Sequence, residues 1–475
     1  MRSLPDKAER KAKIVCTIGP SSSDRAKITA LIKGGMNVAR LNFSHGDGDT
    51  HRKNIRTIRE IAEIYGQPVS ILQDLQGVKI RVGKIAGGAV EIKKGAVLML
   101  VPGGGTGNER NIFISFPRLL EDVNEGDRIL LDDGLIQLSV IEKTRRGLKA
   151  RVVEGGVLRD RKGVNFPGIE LSVRAFTEKD KKDLLLGLEE GVDYVAISFV
   201  REAGDIKRVK EWLRKRRRTL PIIAKIEKPE ALANIGEIMS EVEGIMVARG
   251  DLGVEMSPEE VPLIQKELIS GANRSGKIVI TATQMLESMT EHLHPTRAEA
   301  TDVANAVLDG TDALMLSAET ASGKYPVEAL IMMDRIIRHT ESLRRGESCS
   351  ARGDSFAEAA ADAACRAAED VHAKVIAAFT QSGFTARLLS KFRPKVPVIA
   401  LTPDEKIRNR VALYWGIVPK IMRLPATTDE MVSGVEKALL RERIVRKGDS
   451  IVITASSPLS THGKTNFMKL HKVGE

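Results

Sequence analysis

Residues Ile222–Asp251 read IIAKIEKPEALANIGEIMSEVEGIMVARGD, and the fold is decided there. A short apolar run, Ile222–Ile226, carries a single lysine, Lys225, near its end. Glu227-Lys228-Pro229 stop the run, Glu230–Met239 has helical spacing, and a second apolar run follows at Gly244–Ala248 before Arg249-Gly250-Asp251. Continuous rather than alternating apolar runs mark parallel strands covered on both faces. The same unit recurs outward in both directions. Strands are predicted at Ile14–Ile18, Val38–Leu41, Val69–Leu72 and Tyr194–Phe199 upstream, and at Ile278–Ala282 and Ala313–Leu316 downstream. Helical patterns at Asp24–Lys33, His51–Tyr65, Glu259–Ser275 and Glu299–Leu308 follow strands, and Thr177-Glu178-Lys179-Asp180 reads as an N-cap box before a helix at Lys181–Glu190. Eight strand–helix units predict an α/β fold, a (β/α)8 TIM barrel.

The barrel is interrupted once. Val82–Phe166 is Gly-rich, with short alternating strands at Ala89–Ile92, Arg128–Leu131, Ile136–Ile141 and Lys149–Val153 and a hairpin signal at Asp133-Gly134. This reads as a small all-β lid inserted in a βα loop. Gly103–Gly107 has no helix behind it and reads as a flexible hairpin loop, not a phosphate loop. After Ser342 a linker, Arg344–Ser348, leads into an Ala-rich helix, Phe356–Val371. Strands follow near Val375–Phe379, Val396–Leu401, Ile417–Ile421, Ile451–Thr454 and Met468–Val473, an open-sheet α/β domain. The expected division is residues 1–81 and 167–342 for the barrel, 82–166 for the lid and 343–475 for the C-terminal domain.

The bulk numbers agree with a multi-domain globular chain: 475 residues, 42% hydrophobic and 29% charged, with only 4% aromatic. No apolar run reaches the roughly 18 residues that span a bilayer, and Met1–Lys13 reads as a short solvated arm. Three scattered cysteines suit reduced thiols and a cytoplasmic location. The formal charge of +11 is densest at Arg214–Arg218, a helix end where cations complement the dipole. With so few rings between basic residues, nucleic-acid binding is not expected.

Reactive groups of such a barrel come from the strand C-termini. Those positions here are Gly19-Pro20, Arg40 with Asn42 and Ser44, Asp74, Ser198, Lys225 with Glu227, Arg249-Gly250-Asp251, Thr283, and Ser317 with Glu319. A purely structural barrel has no need to gather so many charged and hydroxyl groups on one rim. Glu227 and Asp251 end adjacent strands, so two hard oxygen ligands can converge on Mg²⁺ or Mn²⁺; the structural alternative is a pair bridged to Lys225 and Arg249. Lys225 shares a strand face with Glu227 and can neutralise charge on a phosphoryl group or an enolate oxygen. Backbone N–H groups at Gly250-Asp251 and the Thr283 hydroxyl suit a substrate carboxylate, and Arg40 and Arg81 suit phosphate oxygens. His292-Leu293-His294 reads as a surface loop.

These residues stand in strings that resemble the pyruvate kinase family. They are Lys13–Ser21 (KIVCTIGPS), Asn37–Gly46 (NVARLNFSHG), Asp74–Arg81 (DLQGVKIR), Lys162–Gly168 (KGVNFPG) and Ile223–Lys228 (IAKIEK), followed by Met246–Glu255 (MVARGDLGVE), Thr281–Met289 (TATQMLESM), Pro295–Val307 (PTRAEATDVANAV) and Met315–Ala321 (MLSAETA). They cover nearly the whole barrel in family order. The resemblance implies phosphoryl transfer from phosphoenolpyruvate to ADP, giving pyruvate and ATP. It implies Lys225 as the residue stabilising the transition state, with Arg40 on the phosphate. Gly250, Asp251 and Thr283 take the substrate carboxylate, Glu227 and Asp251 the Mg²⁺, and Arg81 and Lys162 the nucleotide phosphates. Asn42, Ser44, Asp74 and the carbonyl of Leu75 match a monovalent-cation pocket. Thr283, or water near Ser317 and Glu319, is the implied proton source for enolpyruvate.

Two positions depart from the family pattern. Val78 replaces the proline common after Gly77, which alters hinge stiffness. Lys79 stands where K⁺-dependent members carry glutamate, and a tethered ammonium there can supply the charge that K⁺ brings, so K⁺ is expected to be dispensable. In the C-terminal domain Thr380, Ser382, Gly383 and Thr385 resemble an effector-phosphate loop, with Ser456–Asn466 able to close over it; an ordinary capped βα turn is the alternative. The resemblance also implies a homotetramer. The rival enzyme reading is a Mg²⁺-dependent pyruvate-enolate lyase or aldolase, which would not need the lid or the nucleotide-facing Arg81 and Lys162.

Overall fold

Eight parallel strands close on themselves: β1 (Lys13–Thr17), β2 (Val38–Asn42), β3 (Ser70–Asp74), β4 (Tyr194–Ile197), β5 (Ile222–Ile226), β6 (Gly244–Ala248), β7 (Ile278–Ala282) and β8 (Ala313–Leu316). The computed structural model describes residues 10–169, 171–173, 175–343, 355–456 and 465–475. The side-chain alternation of a strand sorts each barrel residue. On β5, Ile222, Ala224 and Ile226 pack outward among the helices, while Ile223 packs inside with Tyr194 and Met246. Lys225 and Glu227 continue the inner row toward the open C-terminal end. Parallel register sets the neighbours: Lys225 lies beside Met246, Ala248 beside Ala282, and Asn42 beside Asp74.

The lid follows β3. Its six-stranded sheet is built around Arg128–Leu131, Ile136–Lys143 and Leu148–Glu154, over a core that includes Phe116 and Phe166. The Asp132-Asp133-Gly134 turn has three successive left-handed residues, with φ of 53°, 55° and 89°; Asp tolerates this region better than most residues because its short side chain bonds locally. Thr106–Gly107, expected in a flexible loop, pairs in parallel with Lys84–Ile85 instead.

Three further expectations are corrected. The helix predicted at Glu230–Met239 is two, Pro229–Ala233 and Ile235–Glu241, broken at Asn234, whose amide donates to the Arg201 carbonyl at 3.0 Å. Phe199, expected at the end of β4, leaves the strand with φ of 57°. Of the solvated arm expected at Met1–Lys13, the described residues are held instead: Lys11 and Ala12 donate their N–H groups to the Glu341 carboxylate at 2.9 and 2.7 Å, and Lys13 is buried at the start of β1. Lysine can bury its stem and still satisfy its ammonium, and Lys13 Nζ reaches the Ile417 carbonyl at 2.8 Å. The capping box forms as expected, Thr177 with Asp180, opening the helix Glu178–Glu190. Among the described residues no helix is long and apolar enough to cross a membrane.

The C-terminal sheet has the order β11-β10-β9-β12-β13, with β9 (Ile376–Phe379), β10 (Val398–Thr402), β11 (Ile417–Ile421), β12 (Ser450–Ala455) and antiparallel β13 (Phe467–Lys472). It seals the N-terminal end of the barrel. The barrel interior and one face of this domain form a continuous core, and Tyr194 Oη donates to the Arg410 carbonyl at 3.0 Å. Asp312 accepts from Lys391 at 2.5 Å and from Arg393 at 2.7 Å across the same boundary. The predicted linker Arg344–Ser348 and most of the loop Ser456–Asn466 lie outside the described residues.

Candidate active site

Because the C-terminal domain plugs one end, the open end is left for chemistry. There a cavity of about 250 Å³ is lined by Arg40, Asn42, Ser44, Lys79, Ser198, Lys225, Glu227 and Asp251 from the barrel side, and by Asp133 and Asn165 from the lid. Lys225 Nζ stands at its centre, 2.7 Å from Glu227 Oε1, 2.9 Å from Ser198 Oγ and 3.5 Å from Asp74 Oδ1. Burial lowers its pKa, but Asp74, Glu227 and Asp251 more than reverse that and raise it above the ordinary lysine value. It is a fixed cation, unsuited to Schiff-base formation.

Asp74 is the hub. Burial pushes its pKa up, yet Lys225 and Arg40 together bring it below the usual carboxylate value. Arg40 Nε donates to Asp74 Oδ2 at 2.7 Å and one of its terminal nitrogens to Thr17 Oγ1 at 3.0 Å, so the guanidinium is held rigidly at the rim. Of the expected monovalent-cation pocket, the Leu75 carbonyl accepts from Ser198 Oγ at 2.8 Å and Asn42 Oδ1 accepts the Ser44 N–H at 3.1 Å. Asp74 there is already neutralised by two protein cations. Lys79 faces the same cavity; burial and Arg81 lower its pKa, while Asp251 and Asp133 pull the other way.

Glu227 Oε2 accepts the N–H of Phe199 at 2.8 Å, which gives the unusual Phe199 backbone a purpose. Burial raises the Glu227 pKa to about 7 against the opposing pull of Lys225, and the nearby charge of Asp251 adds to the rise. Glu227 and Asp251 line the same cavity, where the charge of Asp251 makes that of Glu227 more costly, a repulsion that a bound cation would relieve. Their hard oxygens fit Mg²⁺ or Mn²⁺ with coordination positions left for substrate. Arg249, the other partner in the structural alternative, turns away to Asp302 at 2.7 Å and to the Thr283 and Gln284 carbonyls.

Gly250 N–H donates to Thr283 Oγ1 at 2.8 Å, so two groups expected on a substrate carboxylate meet each other here. Thr283 and Gln284 are both left-handed, with φ of 67° and 52°, backbone strain of the kind that clusters at functional sites. Arg81 and Lys162 lie at the lid base, outside the cavity lining: Arg81 pairs with Gly163 and donates to the Arg161 carbonyl at 2.6 Å, and Lys162 bridges Asp132 at 2.8 Å. Ser317 Oγ is buried with no hydrogen-bond partner, and its N–H donates to Glu319 at 2.6 Å. His292 and His294 lie in an exposed loop. Sequence reasoning missed Asn165, Lys228 and Glu255, which meet beside the cavity; the signal available was that all three fall inside the quoted strings.

In the C-terminal domain Thr380 and Thr385 are buried. Thr380 Oγ1 accepts the Gly383 N–H at 3.0 Å, Ser382 Oγ accepts the Phe384 N–H at 3.4 Å, and Thr385 meets Thr465 at 2.8 Å.

Known proteins of the same plan carry the same name. A family model described as pyruvate kinase, barrel domain, matches residues 9–330, and one described as pyruvate kinase, alpha/beta domain, matches residues 358–471. The pyruvate kinase of Geobacillus stearothermophilus is 46% identical over 98% of this chain and 81% of its own length. That of Clostridium perfringens is 42% identical over 98% of this chain and 100% of its own. The crystal structure of a pyruvate kinase from Cryptosporidium parvum superposes with a TM-score of 0.91 at 35% identity, covering 98% of this chain and 96% of that one. With the barrel, the inserted lid and the C-terminal sheet all accounted for, the chain belongs to the pyruvate kinase family.

Proposed function

We propose that this chain transfers the phosphoryl group of phosphoenolpyruvate to ADP, giving pyruvate and ATP, with Lys225 as the residue that stabilises the transition state. The observation that carries the reading is Lys225 Nζ held 2.7 Å from Glu227 Oε1 in a cavity closed by lid residues. Phosphoryl transfer demands positioning and charge neutralisation rather than covalent help from the protein. Arg40 and Lys225 hold the phosphoryl oxygens, and Lys225 also faces the enolate oxygen as its charge develops. Gly250, Asp251 and Thr283 orient the carboxylate, the Gly250–Thr283 bond opening to receive it. Arg81 and Lys162 bring the nucleotide phosphates in from the lid. Glu227 and Asp251 hold Mg²⁺ or Mn²⁺, which when bound supplies positive charge to substrate oxygens. Thr283, or water near Ser317 and Glu319, supplies the proton that the enolate carbon must take.

Lys79 replaces the monovalent cation in this reading, supported by the engagement of Asp74 with Arg40 and Lys225. A phosphorylated effector is proposed at Thr380–Thr385. Exposed Leu263, Leu308 and Ile331 on the barrel helices support assembly as a homotetramer, and a cytoplasmic location goes with the reaction. The test is pyruvate formation from phosphoenolpyruvate and ADP with Mg²⁺ in K⁺-free buffer. Turnover there supports both the reaction and the role of Lys79; turnover only after K⁺ is added removes Lys79 from the account; no turnover under either condition removes the reaction.

A further inference from the structure

The lid return strand Val164–Asn165 rests on the barrel through a polar contact that the reaction chemistry does not use. Asn165 Nδ2 donates to Glu255 Oε1 at 3.1 Å, and Lys228 Nζ donates to the same oxygen at 2.6 Å. The Lys228 and Glu255 side chains are only 12% and 2% exposed. A second touch lies beside it: a Cβ on Gly134, at the lid turn, would stand 3.9 Å from Val254 Cγ1.

A buried ion pair is weak ground for stability, because desolvation consumes most of its attraction. This one is poorly satisfied as well, since Glu255 Oε2 has no hydrogen-bond partner. Its position is more telling. Lys228 follows Glu227, Glu255 lies four residues beyond Asp251, and Asn165 lies three beyond Lys162 and lines the cavity. One carboxylate oxygen therefore ties together the segment carrying Lys225 and Glu227, the helix carrying Asp251, and the lid strand Val164–Asn165, which Lys162 precedes by two residues.

We infer that the Lys228–Glu255 pair is the docking point of the lid, and that Asn165 is a positioning residue that sets where Lys162 and Asp133 stand relative to Lys225. Lys228 orients the Glu255 carboxylate, and the amide of Asn165 reads that orientation. A neutral donor on a charged acceptor is strong enough to hold a lid and weak enough to release it each turnover. The inference rests on the phosphoryl-transfer reading, because only a nucleotide held from the lid makes its placement matter to rate.

The test compares the full-length parent with Asn165→Asp, Asn165→Ala and the double variant Asn165→Asp with Glu255→Gln. Both substrates are varied, melting temperatures are recorded, and hydrogen exchange is followed at residues 76–82 and at the described residues of 166–176. Asn165→Asp sets carboxylate against carboxylate. It is expected to lower kcat/KM for ADP about tenfold or more and to speed exchange at both hinges, with KM for phosphoenolpyruvate and the melting temperature little changed. The double variant exchanges the two functional groups: the new amide donates to the new carboxylate, which pairs with Lys228, so activity returns to within about threefold of the parent. The inference is overturned if both single variants keep kcat/KM for ADP within about twofold, or if the double variant stays as slow as Asn165→Asp at an unchanged melting temperature. If the parent itself makes no pyruvate, the reaction is what fails, and hinge exchange alone then decides the docking contact.

Discussion

Lys225 Nζ, on the inner face of β5, and Glu227 Oε1, one residue past the strand's end, are in contact at 2.7 Å. The two-residue spacing continues the inner row of the strand, so the contact is set by the strand's own direction. Replacing Lys225 by Met removes the cation while keeping the stem. Pyruvate formation is expected to fall by at least about 10²-fold, with the circular dichroism spectrum retained. A variant with near-parent kcat would take Lys225 out of the transition state.

Lys79 offers a gain-of-dependence experiment. Lys79→Glu withdraws a positive charge from beside Asp251 and supplies a carboxylate. Activity in K⁺-free buffer is expected to drop about tenfold or more and to recover on titration with K⁺. Equal loss with and without K⁺ would show that the position does not serve the monovalent cation.

The pH response of metal binding follows from Glu227. Its pKa is raised by burial from 4.5 to about 7, so the folded protein binds a proton there that the unfolded chain has lost. Metal-free stability therefore falls as pH rises from 4.5 to 7. With Glu227 as the proposed metal ligand, the ion displaces that proton, so affinity for Mn²⁺ is expected to weaken by up to about tenfold per pH unit below 7 and to level off above it. Calorimetric titration with Mn²⁺ between pH 5.5 and 8 reads the slope; a flat profile would place Glu227 outside the metal site.

At the opposite end of the barrel, Asp312 is 1% exposed and faces both Lys391 and Arg393. It also accepts the Val279 N–H at 2.8 Å, and burial pulls the Lys391 pKa down to about 8 in spite of it. Asp312→Ala leaves these cations without their shared counter-charge, at a cost of about 3–5 kcal/mol. A markedly lowered melting temperature with unchanged KM values is expected; loss of activity without loss of stability would contradict the purely structural role.

Much of this fold is legible in sequence because buried parallel strands are short apolar runs. Ile222–Ile226, Gly244–Ala248, Ile278–Ala282 and Ala313–Leu316 stand where the pattern puts them. Of the strand-end residues, Arg40, Asn42, Ser44, Ser198, Lys225, Glu227 and Asp251 line one cavity, while Gly250, Thr283, Ser317 and Glu319 are not in its lining. The failures share a cause. Period reveals which face a residue takes, not which distant group it meets. Lys13 looked solvated because nothing nearby shows that the Ile417 carbonyl waits for it. Asn165, Lys228 and Glu255 meet across 90 residues of chain, and the strings they stand in do not say that they meet. Phe199 looked like strand because nothing nearby shows its left-handed backbone, whose N–H meets Glu227 just beyond the end of β5.

The lacing of Lys11 to Gly416 and of Lys13 to Ile417, at 2.9 and 2.8 Å, also fixes an order of events in the cell. The first strand of the barrel pairs with β8 on one side and has its base tied by the C-terminal domain. At ribosomal speeds of about 5–20 residues per second, roughly 20–80 s separate the appearance of Lys11 from that of its partners. For the first roughly 15–60 s of that interval, until Ala313–Leu316 is made, β1 is an apolar strand without its closing neighbour, and the nascent chain exposes it to whatever binds unfinished barrels.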